Sequence, residues 1–567
     1  MLRSPSILAF ALAALAAPVH ALPQAGGGSQ PAADEIAALV PEDAFFVLRI
    51  TSLDEAQAML RSLSRAFAPD EDAEAIDVRE LVAILAPALD PALVAGDRPL
   101  AVAFSLDASM QQPLATAILP IQDIEAYKAS LPEPGAEGPA PSVRGSYVAH
   151  SQAPDYQPAA EVPAIALGAP AGTLAASVDL ESLIEAFRPM VEMGLDQVEQ
   201  MMDMQTLPAA GVDPAEIFAL YIDGLRAMLD SAERLDLSLA APRGEVDLAW
   251  RLSVAEGSPM AALALAGATS VRDTAKLADG SAPMVMLFGL DMSKTTGLFQ
   301  SFLDTMVDAY PEPLREDLRR YMDAQKELYP LLGSSMAISG TLDAQGMRFA
   351  YYLKPTSPET FVAKYREAIE QVGSTSMGIQ LTDPVQKEVE GLQVTQMSFK
   401  VDVAKLTEAA GVAAADPEQA EMMRGLLERM YPPEGLHMSL AARGEHAVIV
   451  LGDDAFLARA LRRLAVGGSP PPADLARALE RVGTAHPSFV MRFDIGTLIS
   501  GMGELFTPML GSGGLPDVSG LSAPLTLYVG VEGRRWHGGF SADAARLGAL
   551  IQKLSEAGQP PAMPEDK

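Results

Sequence analysis

The chain has 567 residues, with 74 acidic against 41 basic side chains, so its formal charge is −33. Apolar residues make up 49% and charged residues 20%, which is enough apolar material for a large core and excludes wholesale disorder. The acidic balance argues against a nucleic-acid partner, since phosphates are neutralised by Lys and Arg, and equally against adsorption to an anionic membrane surface.

The N-terminus reads as a secretory signal over residues 1–21. Arg3 supplies the positive end, Ile7 to Ala17 is an apolar run broken by Pro18, and Val19-His20-Ala21 has the small-x-small form of a cleavage site. The run is about half the ~20 residues a membrane span requires, and no later segment offers a longer one, so no transmembrane segment is expected after cleavage. The chain contains no Cys, which removes disulfides, thiolate metal sites, Cys nucleophiles and a lipid-modified N-terminal Cys. It contains no Asn either, and hence no glycosylation sequon. This combination suits a periplasmic or secreted bacterial protein. Residues 22–33 (LPQAGGGSQPAA) then form a flexible tether.

Beyond the tether the chain repeats itself. Leu235–Glu245 (LDLSLAAPRGE) and Leu436–Glu445 (LHMSLAARGE) agree at eight of ten positions once Pro242 is skipped. Each is expected to be a β-hairpin turning at its Gly, Gly244 and Gly444, because glycine reaches positive φ without steric cost. Val178–Ala186 (VDLESLIEA) and Val401–Ala409 (VDVAKLTEA) each follow a strand-like run and open a helix, with Asp179 and Asp402 at the N-cap. Leu100–Ser109 resembles Met336–Gln345 more loosely. A Pro, a short apolar strand and a helix recur from Pro41, Pro283 and Pro487. The shared order predicts tandem α+β units: unit 1 at 34–265, its duplicate unit 2 at 275–465, and a truncated unit 3 at 473–556, followed by a flexible tail at 557–567. Short connections favour antiparallel sheets of hairpins, with amphipathic helices packed on one face.

The opening of the first unit, LVPEDAFFVLRITSLDEAQAML (Leu39–Leu60), resembles a family of exported bacterial domains of unknown function that begin with a Pro, an apolar strand and an amphipathic helix. The resemblance implies export and an α+β domain. It transfers no active site.

Compact catalytic motifs are absent. No GxSxG, SxxK, P-loop or GxGxxG occurs, and Gly333-Ser334-Ser335-Met336-Ala337 is followed by a strand where a nucleophile elbow needs a helix. The histidines beyond the signal (His150, His437, His446, His486 and His537) show no HExxH or HxH spacing, although His437 and His446 lie on opposite arms of one hairpin. The acidic run Asp70, Glu71, Asp72, Glu74 and Asp77 lacks the Gly turn of a calcium loop and reads as solvated surface. No catalytic, cofactor-binding or metal-ligating residue is therefore expected.

Met is abundant, at 27 residues. From Leu180 an amphipathic stripe runs through Leu183, Ile184, Phe187, Val191, Leu195 and Val198, with a kink expected at Pro189. Met202 continues this stripe, Met193, Met201 and Met204 flank it on both sides, and Met422, Met423 and Met430 form a second group. Thioethers are soft Cu(I) ligands, but no His or Cys reinforces them. Core packing is the plainer expectation, and an apolar-ligand surface at Met193, Met201, Met202 and Met204 is the sharper one. The sequence thus points to an exported, non-enzymatic binding or scaffold protein of the cell envelope, with an envelope protein or an apolar ligand as partner. A periplasmic carrier of an apolar or lipid-like ligand and a hydrolase with a dispersed site stand as alternatives.

Overall fold

The computed structural model describes residues 30–558 apart from 70–76, 88, 107–112, 132–140, 155, 167–171, 205–213, 267–270, 290, 292–303, 305–306, 308–313, 344–345, 373–378, 406–420, 422–423, 426, 429–430, 432–434, 483–485, 511–517 and 519. The chain is α+β, with 19 strands in one sheet among the described residues.

One local pattern, strand–helix–hairpin–helix, recurs along it. After α1 (Gln30–Ala37), the first module comprises β1 (Ala44–Ile50), α2 (Leu53–Phe67), α3 (Arg79–Leu85), the hairpin β2–β3 (Leu100–Leu106 and Pro113–Pro120) and α4 (Ile124–Ser130). A short hairpin follows, β4–β5 (Ser142–Arg144 and Tyr147–Ser151). The second module has β6 (Leu174–Asp179), α5 (Leu180–Met204), α6 (Pro214–Ser231), β7–β8 (Ala232–Ala240 and Glu245–Val254) and α7 (Pro259–Ala266). After α8 (Arg272–Ala275) comes the third, with β9 (Met284–Phe288), α9 (Leu314–Lys326), β10–β11 (Met336–Asp343 and Gly346–Leu353) and α10 (Pro358–Val372). Two edge strands, β12 (Ile379–Leu381) and β13 (Val385–Val389), precede the fourth module, which has β14 (Leu392–Val401), β15–β16 (Leu436–Arg443 and His446–Leu451) and α11 (Asp454–Ala465). The fifth follows α12 (Ala473–Arg481) and contains β17 (His486–Asp494), α13 (Ile495–Leu510), β18–β19 (Pro524–Glu532 and Arg535–Asp543) and α14 (Ala544–Gly558).

Side-chain caps set where the helices begin. Ser52 Oγ accepts from Glu55 N at the start of α2. Asp179 and Asp402 accept from Ser182 N and Lys405 N, which places both at the N-cap positions expected from the sequence. Asp494 accepts from Thr497 N at α13 and also from Ser522 Oγ and Ala523 N, tying the helix start to the strand that follows. Gly244 and Gly444, at the two matching hairpin turns, have φ of +82° and +58°.

Every strand pairing is antiparallel. Read from one edge, the order is β4, β5, β3, β2, β1, β6, β7, β8, β19, β18, β17, β9, β10, β11, β16, β15, β14, with β12 and β13 on the outer side of β14. The fifth module thus lies in the middle of the sheet, between the second and the third.

Helices α2 to α4, α10 and α14 pack on one face, over Leu100, Leu119, Leu174, Leu239, Val246, Leu353 and Leu440. The expectation of a single helical face needs correction: α1 packs on the opposite face over Val47, Ala101, Ala103 and Ile118, and so do helices in the second half of the sheet. There α11 and α12 cover the opposite face, over Leu287, Ala337, Tyr352, Val450 and Val490. The cause is the residue alternation of β16, which sends apolar Ala447 and Ile449 to one face and apolar Val448 and Val450 to the other.

Gly538 and Gly539 in β19 show how tightly the centre closes. The Trp250 ring lies against Gly538, where an added Cβ would stand 2.7 Å from it, and the Tyr528 ring covers Gly539, where a Cβ would stand 1.5 Å away. Successive residues face opposite sides, so each glycine seats one aromatic ring on its own face. Gly539→Ala is expected to destabilise the protein by about 1–3 kcal/mol in urea denaturation, from overpacking. Adding Tyr528→Ala should recover part of that loss, giving a double variant less damaged than the sum of the single ones.

Candidate functional site

Helices α5 and α6 form an arm. Arg188 bonds Asp230 at 2.8 Å, and Arg226 reaches Glu192 and Asp196 at 3.3 and 3.1 Å, joining the two helices through charge. Met190 and Met193 on α5 are 62% and 60% exposed. On α6, Tyr221, Leu225 and Met228 are exposed at i, i+4 and i+7 spacing, a stripe along one side of the helix. Met193 is therefore surface. The side chains of Met201, Met202 and Met204 lie outside the described residues, as do Met422, Met423 and Met430. The α6 stripe is written in the sequence as a helical period of Tyr221, Leu225 and Met228.

The structure does not bring the candidate histidines together. Arg443 pairs with His446 beside the turn, so His437 lies six residues up its strand, roughly 20 Å away at ~3.3 Å per residue. His437 Nδ1 meets Ser398 Oγ at 2.6 Å, and His150 Nε2 meets Tyr127 Oη at 3.0 Å. His537 is buried, and burial with Arg251 nearby lowers its pKa to about 4, which keeps the ring neutral. Among the described residues no group of three or more His, Asp or Glu could hold a metal ion. The acidic run 70–76 lies outside the described residues, and Met336 begins β10, as the strand expected there requires.

A cleft of about 590 Å³ opens where the second and fifth modules meet. Its floor carries Thr526 of β18 and Ser541 of β19, cross-strand partners that are 2% and 5% exposed. Glu245 enters from the start of β8, Asp474 and Arg477 from α12, and Asp543 and Arg546 from the start of α14. Pro242, Ala473, Pro524 and Ala542 supply apolar wall. Asp543 caps α14 through Arg546 N at 3.0 Å, and Asp474 accepts from Arg492 Nε. Pro242 and Glu245 belong to the repeated hairpin segment, but no lining residue was a candidate site residue from the sequence. The available signal was a polar residue at an inward position of an otherwise apolar strand, Thr526 in PLTLYVGVE.

Beside the floor, Asp247 pairs in register with Ser541 and is 3% exposed. Arg481 of α12 holds it at 2.6 Å, and a second Arg481 nitrogen bonds the other carboxylate oxygen at 2.7 Å. This pair fastens α12 to the second module.

No family model and no curated protein matches the chain. Among solved structures, crystal forms IV, III and I of TP0453 are similar to 49% of this chain and to 95%, 97% and 96% of theirs, at 11–12% identity and TM-scores of 0.22, 0.22 and 0.20. A likeness this slight assigns neither fold nor function.

Burial pushes the Asp247 carboxyl up to about 7, against the pull of Arg481 and with the push of Glu245. An unfolded Asp titrates near ~3.9, so the folded state binds the proton more tightly. The stability from this group is fully present below about pH 4 and is lost as pH rises towards 7. Denaturation midpoints measured from pH 4 to pH 8 should show this decline. Asp247→Asn, which cannot ionise, should flatten it.

Proposed function

We propose that the chain is an exported, non-enzymatic binding or scaffold protein of the bacterial cell envelope. The observation that carries this reading is the arm. Met190, Met193 and Tyr221 are each at least 60% exposed on paired helices, and Leu225 and Met228 extend the stripe on α6. Large apolar side chains in register on a surface helix mark an interaction surface, since burying each is worth ~1.5–3 kcal/mol. The paired charges between the helices hold the arm in shape without covering its apolar side.

Export is supported by the signal-like residues 1–21 and the lack of Cys. No described helix is long and apolar enough to cross a membrane. The strand–helix opening at Leu39–Leu60 supports grouping the chain with the exported domains it resembles. The absence of compact catalytic motifs supports a non-enzymatic role.

The test is a photo-crosslinking amino acid placed at Met193 or Tyr221 in the producing bacterium, with Val466, 76% exposed and remote from the arm, as control. A discrete envelope protein captured from the arm positions alone is expected. Capture of lipid instead, together with saturable uptake of an apolar fluorophore, would establish the carrier alternative. Ester or peptide hydrolysis abolished by one Ser, Asp or His substitution would overturn the non-enzymatic reading.

A further inference from the structure

The cleft between the second and fifth modules is donor-rich in a protein of net charge −33. Thr526 Oγ1 and Ser541 Oγ both face it, and neither hydroxyl bonds to a described residue, although each residue is more than nine-tenths buried. Both hydroxyls open onto the cleft, where a bound molecule can accept from them. Above the floor stand Arg477 and Arg546, about half exposed. Their carboxylate contacts are long: Arg477 meets Glu245 at 3.5 Å and Arg546 meets Asp543 at 3.7 Å. A formed guanidinium–carboxylate bond measures about 2.7–2.9 Å, so both forks keep donors to give.

Two acceptors of the cleft are already engaged. Asp474 takes Arg492 Nε and Leu475 N. Asp543 caps α14, and Glu245 stands 3.5 and 3.4 Å from Arg477 and Arg481. Two guanidinium forks above two hydroxyls match an oxyanion. The volume exceeds that of a bare ion, and apolar wall adjoins the polar floor. The geometry points to a binding site for a small molecule that presents an oxyanion, phosphoryl or carboxylate, from a compact apolar body. Arg477 and Arg546 clamp the oxyanion, and Thr526 and Ser541 donate to it from below. This site lies apart from the arm and does not depend on the arm's partner.

The test titrates inorganic phosphate, and in parallel benzoate, into the full chain by calorimetry at constant ionic strength. Saturable binding of at least one is expected, and whichever binds identifies the source of the oxyanion. Arg477→Gln/Arg546→Gln should weaken it at least tenfold, and Thr526→Val/Ser541→Ala severalfold. Arg144→Gln, a surface arginine of β4, should leave it unchanged. Should the Gln double variant misfold by near-ultraviolet circular dichroism, Arg477→Lys/Arg546→Lys keeps the charge, loses the fork and should still weaken binding. Binding of neither probe, or equal binding by the clamp variants and the parent, would overturn the assignment. Either result would leave the crosslinking at Met193 and Tyr221 unaffected, so the two readings fail separately.

Discussion

A three-stranded antiparallel module has two edges, and each edge carries backbone N–H and C=O groups that need partners. This chain contains five such modules and answers the need by joining them edge to edge. The joints follow a rule. First strands meet first strands at β1–β6 and β17–β9, and third strands meet third strands at β8–β19 and β11–β16. Antiparallel pairing of like strands makes each joint locally two-fold, and the two kinds alternate across the sheet. The outermost edges are closed with short pieces. One ends in β4 and β5, the other in β13, whose exposed Glu388 discourages further pairing. A turn at Glu390 and Gly391, both at positive φ, joins β13 to β14.

Much of the local structure could be read from the sequence. Hairpins at Leu235 and Leu436, caps at Asp179 and Asp402, and apolar strands after Pro41, Pro283 and Pro487 each have a local physical cause that leaves a mark in neighbouring residues. The joints left no such mark. Nothing near β8 indicates that its partner is β19, some 290 residues onward, because pairing of edge strands depends on the backbone and tolerates many side chains. The one-faced packing expected for the helices failed for a different reason. α11 follows β16 directly and α12 directly precedes β17, and both fold onto the second face because the strands there are apolar on both sides.

The cleft was out of reach because it forms at one of these joints. Glu245, Arg477, Thr526 and Ser541 come together only because β8 pairs with β19 and α12 docks across that joint. Arg481 and Asp247 make the docking specific. Two charges buried at a joint contribute little net stability against an apolar pair, but they penalise any other register, since a shifted strand would strand one of them unpaired. The polar pair at the joint, Asp247 and Ser541, selects the register in a place where apolar residues alone would allow slippage.

The arginines explain why an acidic chain can hold an oxyanion at one place. Several of the 41 basic residues are spent inside the fold: Arg234 on Asp236, Arg348 on Asp453, Arg463 on Asp279, Arg481 on Asp247 and Arg492 on Asp474. Each internal pair neutralises one acid and removes one cation from the surface, so the exterior stays strongly negative and repels anions at long range. That repulsion is screened beyond about 10 Å at ordinary salt, whereas a guanidinium within bonding distance acts through directed donors. Selection at the cleft therefore rests on the geometry of Arg477, Arg546, Thr526 and Ser541, and not on the field of the whole molecule. The apolar stripe of the arm is subject to the same field. Its flanking acids, Glu192, Asp196, Asp223 and Asp230, are drawn onto Arg188 and Arg226, which leaves the stripe bordered by paired rather than lone charges.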